Sequence, residues 1–235
     1  DLLGTKKPEW AIQRKGGGVW RAAGGRVWMD PFRREVWDYN IAIAREAIEL
    51  GFDEVQFDYV RFPSDGDIYD TYYMYDDVSR QPRVRAINEG VALVRRGLEP
   101  TGVFFSADIF GLTTSINLEL KYGDLGIGQE LAGVAPHVDY LSPMVYPSTY
   151  IPGNLGLSDP QREPYKVVFI SVQDGLKRAN GTLIRPWLQH YSLFGITFGA
   201  AEFRQAKRAA EEAGATGWLF WNASGTYVAE TFDPE

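Results

Sequence analysis

From about residue 35 onward, strand-like and helix-like segments of this chain alternate without exception, and that order confines it to a parallel sheet covered by helices. Residues 35–50 carry Val36, Tyr39, Ile43, Ala47 and Leu50 at helical spacing and stop at Gly51. A strand over 54–62 (EVQFDYVRF) ends at Pro63-Ser64-Asp65-Gly66. Helix 83–98, strand 103–110, helix 125–135 with Asp124 as N-cap, and strand 138–146 follow. Helix 164–179, strand 183–189, helix 200–213 and strand 217–222 complete the series. The loops leaving the strands are long (63–80, 111–124, 147–163), and the turns entering them are short. Long βα loops and short αβ turns are the habit of the (β/α)8 TIM barrel, whose βα side carries the active site.

A doubly wound sheet is the alternative, but it shows a glycine-rich phosphate turn between a strand and a helix. Gly16-Gly17-Gly18 and Gly24-Gly25 neither follow a strand nor open a helix. A full barrel needs eight strands and about 250 residues. The repeating units fill roughly residues 52–222, and the upstream stretch has room for a hairpin around Val19–Met29 but not for three more βα units. The expectation is therefore a single barrel domain over 1–235 that is incomplete at its N-terminal side. It lacks about the first two strands and retains about five to six of the eight.

Composition narrows the chemistry. With 24 basic against 31 acidic residues, the chain lacks the basic excess that nucleic acid demands. The absence of cysteine removes disulfides, thiolate nucleophiles and thiolate-bound metals. His137 and His190 are the only histidines. No metal site and no cofactor is expected, and no stretch approaches 18 apolar residues, so no membrane-spanning segment is expected either. The 7 Trp, 13 Tyr and 13 Phe suit sugar faces as well as a core.

Strand alternation places Gln56, Asp58 and Val60 on one face and Val55, Phe57 and Tyr59 on the other. The second face is apolar and suits the helices, so Asp58 points into the barrel near the strand's C-terminal end. The next strand repeats this with Ser106 and Asp108. Two carboxylates on neighbouring strand ends can flank one scissile bond, as glycoside hydrolysis requires. Arg61 is a partner for Asp58, either structural or functional. Tyr146, Gln189, Trp221 and Asn222 stand at strand exits as subsite candidates, with Trp187 divided between core and sugar platform. Asp139 reads as structural, Glu130 as a solvated helix residue, and His190 as a weaker proton-carrier candidate. The acids between Asp65 and Asp77 lack the ligand order of a calcium loop and read as a mobile solvated lid.

Longer words carry a resemblance. VWMDP (27–31), EVWDYNIAIAREAIELGFDEVQFDYVRFPSDG (35–66), SADIFG (106–111), DLGIGQ (124–129), YLSPMVYPS (140–148), RPWLQ (185–189) and GWLFWN (217–222) run over nearly the whole chain. They resemble a bacterial family of glycoside hydrolases long catalogued as a domain of unknown function, related to amylase-like and chitinase-like barrels. The resemblance implies that the Asp58 strand is the barrel's fourth and the Asp108 strand its fifth. It also implies a carbohydrate substrate and a secreted or envelope-associated protein. Amylase-like barrels end strand four on an Asp nucleophile, matching Asp58, and strand five on a Glu, where this chain has Asp108. The chitinase-like signature is broken, because Gln56 and Val60 replace an Asp and the terminal Glu. The leading expectation is a glycosidase using Asp58 and Asp108, with Arg61, Tyr146, Gln189, Trp221 and Asn222 binding sugar. A non-catalytic carbohydrate-binding barrel is the alternative, and a metal-dependent hydrolase using the acidic loop is a third reading.

Overall fold

The structure is a computed structural model and describes residues 2–117, 119 and 123–232. The elements run α1 (Leu2–Lys6), β1 (Gln13–Arg14), α2 (Arg34–Glu49), β2 (Glu54–Phe57), β3 (Thr71–Tyr72) and α3 (Arg80–Leu98). They continue with β4 (Phe104–Phe110), α4 (Leu131–Val134), β5 (Tyr140–Val145), α5 (Pro164–Arg178), β6 (Leu183–Ile184), β7 (Trp187–Gln189), α6 (Ala200–Glu212) and β8 (Leu219–Trp221). Part of the expected loop over 112–124 lies outside the described residues.

One sheet orders its strands β2-β4-β5-β7-β8, with β6 also on β5. Every pairing in it is parallel. The sheet is an incomplete barrel, as the strand count implied. The expected strand 183–189 is split into β6 and β7. Pro186 has no N–H for the ladder, and the two pieces pair with opposite ends of β5. Phe105, Ala107, Ile109, Leu141, Val145, Ile184 and Leu188 turn outward and are buried under the helices. Ile87, Val91 and Val94 of α3 and Val167, Val168 and Val172 of α5 share one core cluster with them. The helices pack closely on each other as well. A Cβ added at Gly90 of α3 would stand 2.2 Å from the Trp37 ring of α2.

The residues ahead of α2 do not join this sheet. Bridges Ala11↔Met29, Gln13↔Val19 and Arg21↔Val27 make the antiparallel excursion expected around Val19–Met29. β1 pairs with β3 instead. The stretch expected as a mobile solvated lid is thereby tied down. Arg14 binds Asp70 at 2.7 Å, Trp20 donates to the Asp67 carbonyl at 2.8 Å, and Tyr73 is buried among Phe32 and Phe62. The charge pattern suggested solvation, but the interleaved aromatics provide anchors.

The helix expected over 125–135 shrinks to α4. Asp124 is not its N-cap. It is fully buried, takes the Arg83 Nε and Nη2 at 3.1 and 2.9 Å, and accepts from the Gly126 and Gly128 N–H groups. These bonds hold 124–128 as a tight turn. Glu130, expected on a solvated face, is half-buried in an ion pair with Arg80. Removing one partner of a buried pair strands the other's charge, so Arg83→Ala is expected to cost about 3–5 kcal/mol in urea unfolding. A loss below about 1 kcal/mol would mean that the pair contributes no net stability.

Candidate active site

β2 and β4 pair in parallel register, with Gln56 opposite Ser106 and Phe57 opposite Ala107. Asp58 follows the last paired residue and stands close enough to Asp108 for its charge to act on that carboxyl. The strand expected to run to residue 62 ends at Phe57. Tyr59 adopts φ 54°, a left-handed conformation that a bulky residue avoids, and its N–H donates to Asp58 Oδ1 at 2.6 Å. The alternation expected beyond Asp58 fails at this kink. Tyr59 is exposed, whereas Val60, expected inside the barrel, is buried in the hydrophobic core.

The two carboxyls stand in different surroundings. Asp108 is 5% exposed on the inner face, opposite Ser142 of β5. Burial pushes its carboxyl up to about 8, the neighbouring Asp58 adds to the rise, and the Trp187 indole N–H, donating to Oδ1 at 3.0 Å, draws it down. Asp58 is exposed to the open side. Partial burial still raises it above the usual carboxylate range, against the Tyr59 N–H and the Arg61 charge. Both carboxyls are raised, Asp108 up to about 8 by its deeper burial, and that makes Asp108 the proton holder of the pair. Trp187→Phe removes a bond that favours the ionised form, so the alkaline limb of the pH–activity profile is expected to move to higher pH. An unmoved limb would show that Trp187 does not act on the proton of Asp108.

A polar layer lies beneath Asp108. Arg185 reaches both carboxylate oxygens of Glu54, Ser106 donates to Glu54 at 2.6 Å, and the guanidinium sits 4.4 Å from the Tyr140 ring centroid. Burial would raise the Glu54 carboxyl, but the bonds from Arg185 and Ser106 outweigh it and hold it low. Sequence reading passed over Glu54, because its partner stands far along the chain and only the closing of the sheet brings them together. Gln129 was missed for the same reason. Its amide donates to the Val60 and Asp108 carbonyls at 3.0 and 3.3 Å and accepts from Phe110 N–H at 2.9 Å.

The other expected site residues separate into two groups. The Tyr146 hydroxyl is held well above its usual range by burial, then by Tyr191, Asp108 and Asp58, so it shares their space. Trp221 is half-exposed, edge-on to Trp187 at 6.0 Å. Arg61 is buried with its guanidinium 4.7 Å from the Trp28 ring and 4.8 Å from Phe110. Gln189 is buried and its amide holds Ser148 and the Tyr191 carbonyl, which fixes the loop after β5. Asn222 binds the His190 and Thr226 carbonyls and caps its own turn through Ser224. Those two residues shape the rim. His190 faces away, with its ring 4.0 Å from Phe203 and Nε2 on Thr231, and burial lowers its proton affinity. Asp139 receives the Phe105 N–H and pairs with Arg95, as its structural reading implied.

Two cavities open at this end of the sheet. One of about 420 Å³ is lined by Trp28, Asp58, Tyr59 and Arg61. The other, of about 330 Å³, is lined by Phe110, Met144, Tyr146 and Tyr150. A groove of about 720 Å³ between α2 and α3 holds Trp37 and Arg96 and stands apart from the carboxyls. Among the described residues, no three His, Cys, Asp or Glu side chains gather to hold a metal ion, and no helix is long and apolar enough to cross a membrane.

Comparison with solved structures supports the fold. A class V chitinase from Pseudomonas fluorescens Pf-5 superposes with a TM-score of 0.58 at 13% identity, over 86% of this chain and 72% of that one. The spore cortex-lytic enzyme SleL of Bacillus cereus gives 0.56 at 15% identity, over 86% of this chain and 52% of its own. A hypothetical protein from Ruminiclostridium thermocellum is 39% identical over 46% of this chain and 52% of its own, with a TM-score of 0.38. The chain thus spans about half the length of the SleL enzyme and of the Ruminiclostridium thermocellum protein. No curated protein matches its sequence. The fold is that of barrel glycoside hydrolases. The remaining match covers residues 1–227, from the antiparallel excursion through the last strand, and it places the chain in the DUF4015 family, described as a "putative glycosyl hydrolase domain".

Proposed function

We propose that the chain hydrolyses glycosidic bonds of a polysaccharide or oligosaccharide, with Asp108 as general acid and Asp58 as nucleophile or charge-stabilising carboxylate. The observation that carries this reading is the contrast between the two acids. A buried carboxyl raised to about 8 keeps its proton at neutral pH, beside an accessible carboxylate one strand away. Asp108 protonates the departing oxygen, and Asp58 meets the positive charge that develops at the anomeric carbon. In a retaining course Asp58 forms the covalent glycosyl intermediate, and Asp108 then activates the water that releases it. Tyr146, Arg61 and Trp221 contact sugar, while Gln189 and Asn222 hold the loops that shape the subsites.

The similar solved structures include a chitinase and a spore cortex-lytic enzyme, in keeping with a polysaccharide substrate and a secreted or envelope-associated location. Chitin itself is disfavoured, because Val60, at the place of the chitinase acid, is buried and apolar. The test is reducing-end release from bacterial and plant polysaccharides by the protein and by Asp58→Asn. Release that vanishes in the variant supports the assignment. Binding without release by either protein would make this a carbohydrate-binding barrel.

A further inference from the structure

Arg61 is 8% exposed, yet no ion pair joins it to an acid among the described residues. Its Nη1 is occupied by the Phe62 carbonyl at 2.9 Å and Ser64 Oγ at 3.2 Å. Nε and Nη2 have no hydrogen-bond partner among the described residues. These two atoms share one edge of the guanidinium, the fork that takes the two oxygens of a carboxylate in parallel. The same chain uses this edge elsewhere: Arg83 presents it to Asp124 and Arg80 to Glu130. The Arg61 guanidinium is flanked by the rings of Trp28, Tyr59 and Phe110, and Arg61 lines the same cavity as Asp58. Asp58 and Asp65 act on it only through space, and Asp65 leans toward Arg26 at 3.6 Å. A buried cation without a counter-charge is costly to keep, and an anionic ligand would offset that cost.

We propose that the Nε/Nη2 edge of Arg61 receives the carboxylate of an acidic sugar, so that the substrate is a carboxylate-bearing polysaccharide. This rests on the hydrolase reading for the reaction but not for the recognition. Arg26 lines the same cavity and adds positive charge at its mouth. The chain's net charge of −7 slows approach of a polyanion, but salt screens it beyond about 8 Å.

The test is calorimetric binding in the Asp108→Asn protein, so that turnover does not intervene. The probes are oligogalacturonate, hyaluronan fragments and lactyl-bearing peptidoglycan fragments, each beside its carboxyl-reduced counterpart. At least one acidic probe is expected to bind about tenfold or more tightly than its reduced form. Arg61→Gln should abolish that preference, and Arg61→Lys, which keeps the charge without the fork, should retain part of it. Equal or absent binding of every acidic and reduced pair overturns the proposal. A folded Arg61→Gln that keeps the preference also overturns it. If Arg61→Gln does not fold, the reduced probes and Arg61→Lys decide. A carboxylate preference without hydrolysis by the native protein would sink the hydrolase reading alone, and hydrolysis without preference would sink this one alone.

Discussion

Asp58→Asn is expected to lower kcat on every cleavable glycoside by about 10³-fold or more, whereas the loss from Asp108→Asn is expected to depend on the leaving group. An alkoxide is a poor leaving group and needs a proton, so an oligosaccharide should lose about 10²–10⁴-fold when the acid is removed. A nitrophenolate leaves unaided, so the first step on an aryl glycoside should be nearly unchanged. On the proposed mechanism Asp58 serves the sugar rather than the leaving group, so its loss should damage both substrates alike. Measuring kcat/KM for both substrates across both variants separates the roles. Equal damage to both substrates in Asp108→Asn would remove Asp108 from the acid's place, however its carboxyl titrates.

The same substitution is expected to make the protein more stable. Asp108 holds its proton in the folded chain up to about pH 8, and in the unfolded chain only to about pH 4. Between those values the folded state carries more protons, so stability falls as pH rises through the window. It is unaffected below the window, and the slope vanishes above it. The ceiling on this loss is about 1.4 kcal/mol for each pKa unit. At pH 8 Asp108→Asn is therefore expected to gain about 2 kcal/mol, roughly 4–8 °C in Tm for a chain of this size. At pH 4 the two proteins should melt together. Melting curves from pH 4 to 9 check this, and a variant no more stable than its parent at pH 8 would mean that Asp108 ionises normally. Together with the kinetics, the result would locate at one side chain a cost that the fold carries for its chemistry.

The fold was legible where pattern is local. The helices over Arg34–Glu49, Arg80–Leu98, Pro164–Arg178 and Ala200–Glu212 follow from apolar spacing, and each lies within a few residues of its expected span. The parallel order followed from alternation alone. Reading failed where a tertiary bond overrides local preference. Strand β2 stops early because Tyr59 turns left-handed, and nothing in EVQFDYVRF announces that turn. Residues 125–130 look helical, but Asp124 engages Arg83 and two glycine N–H groups instead. At the candidate site, Asp58 and Asp108 stood out because a carboxylate on an inward strand face needs a reason. Glu54, Gln129 and Trp187 owe their places to partners brought close only by the closing sheet, and no spacing rule reaches that far.

Gln129 has a further consequence. Its single amide grips the carbonyls of Val60 and Asp108 together with the N–H of Phe110, so the segments that bear the two acids are clamped by one neutral side chain. In glycosidases a gap near 5 Å forces the second carboxylate to attack the sugar, and a gap wider by a few ångström admits a water instead. Here a side chain that belongs to neither acid-bearing strand ties the two segments together. On the proposed mechanism, a change at this uncharged residue would alter the separation of the acids, and with it the choice between retention and inversion, while leaving both acids in place.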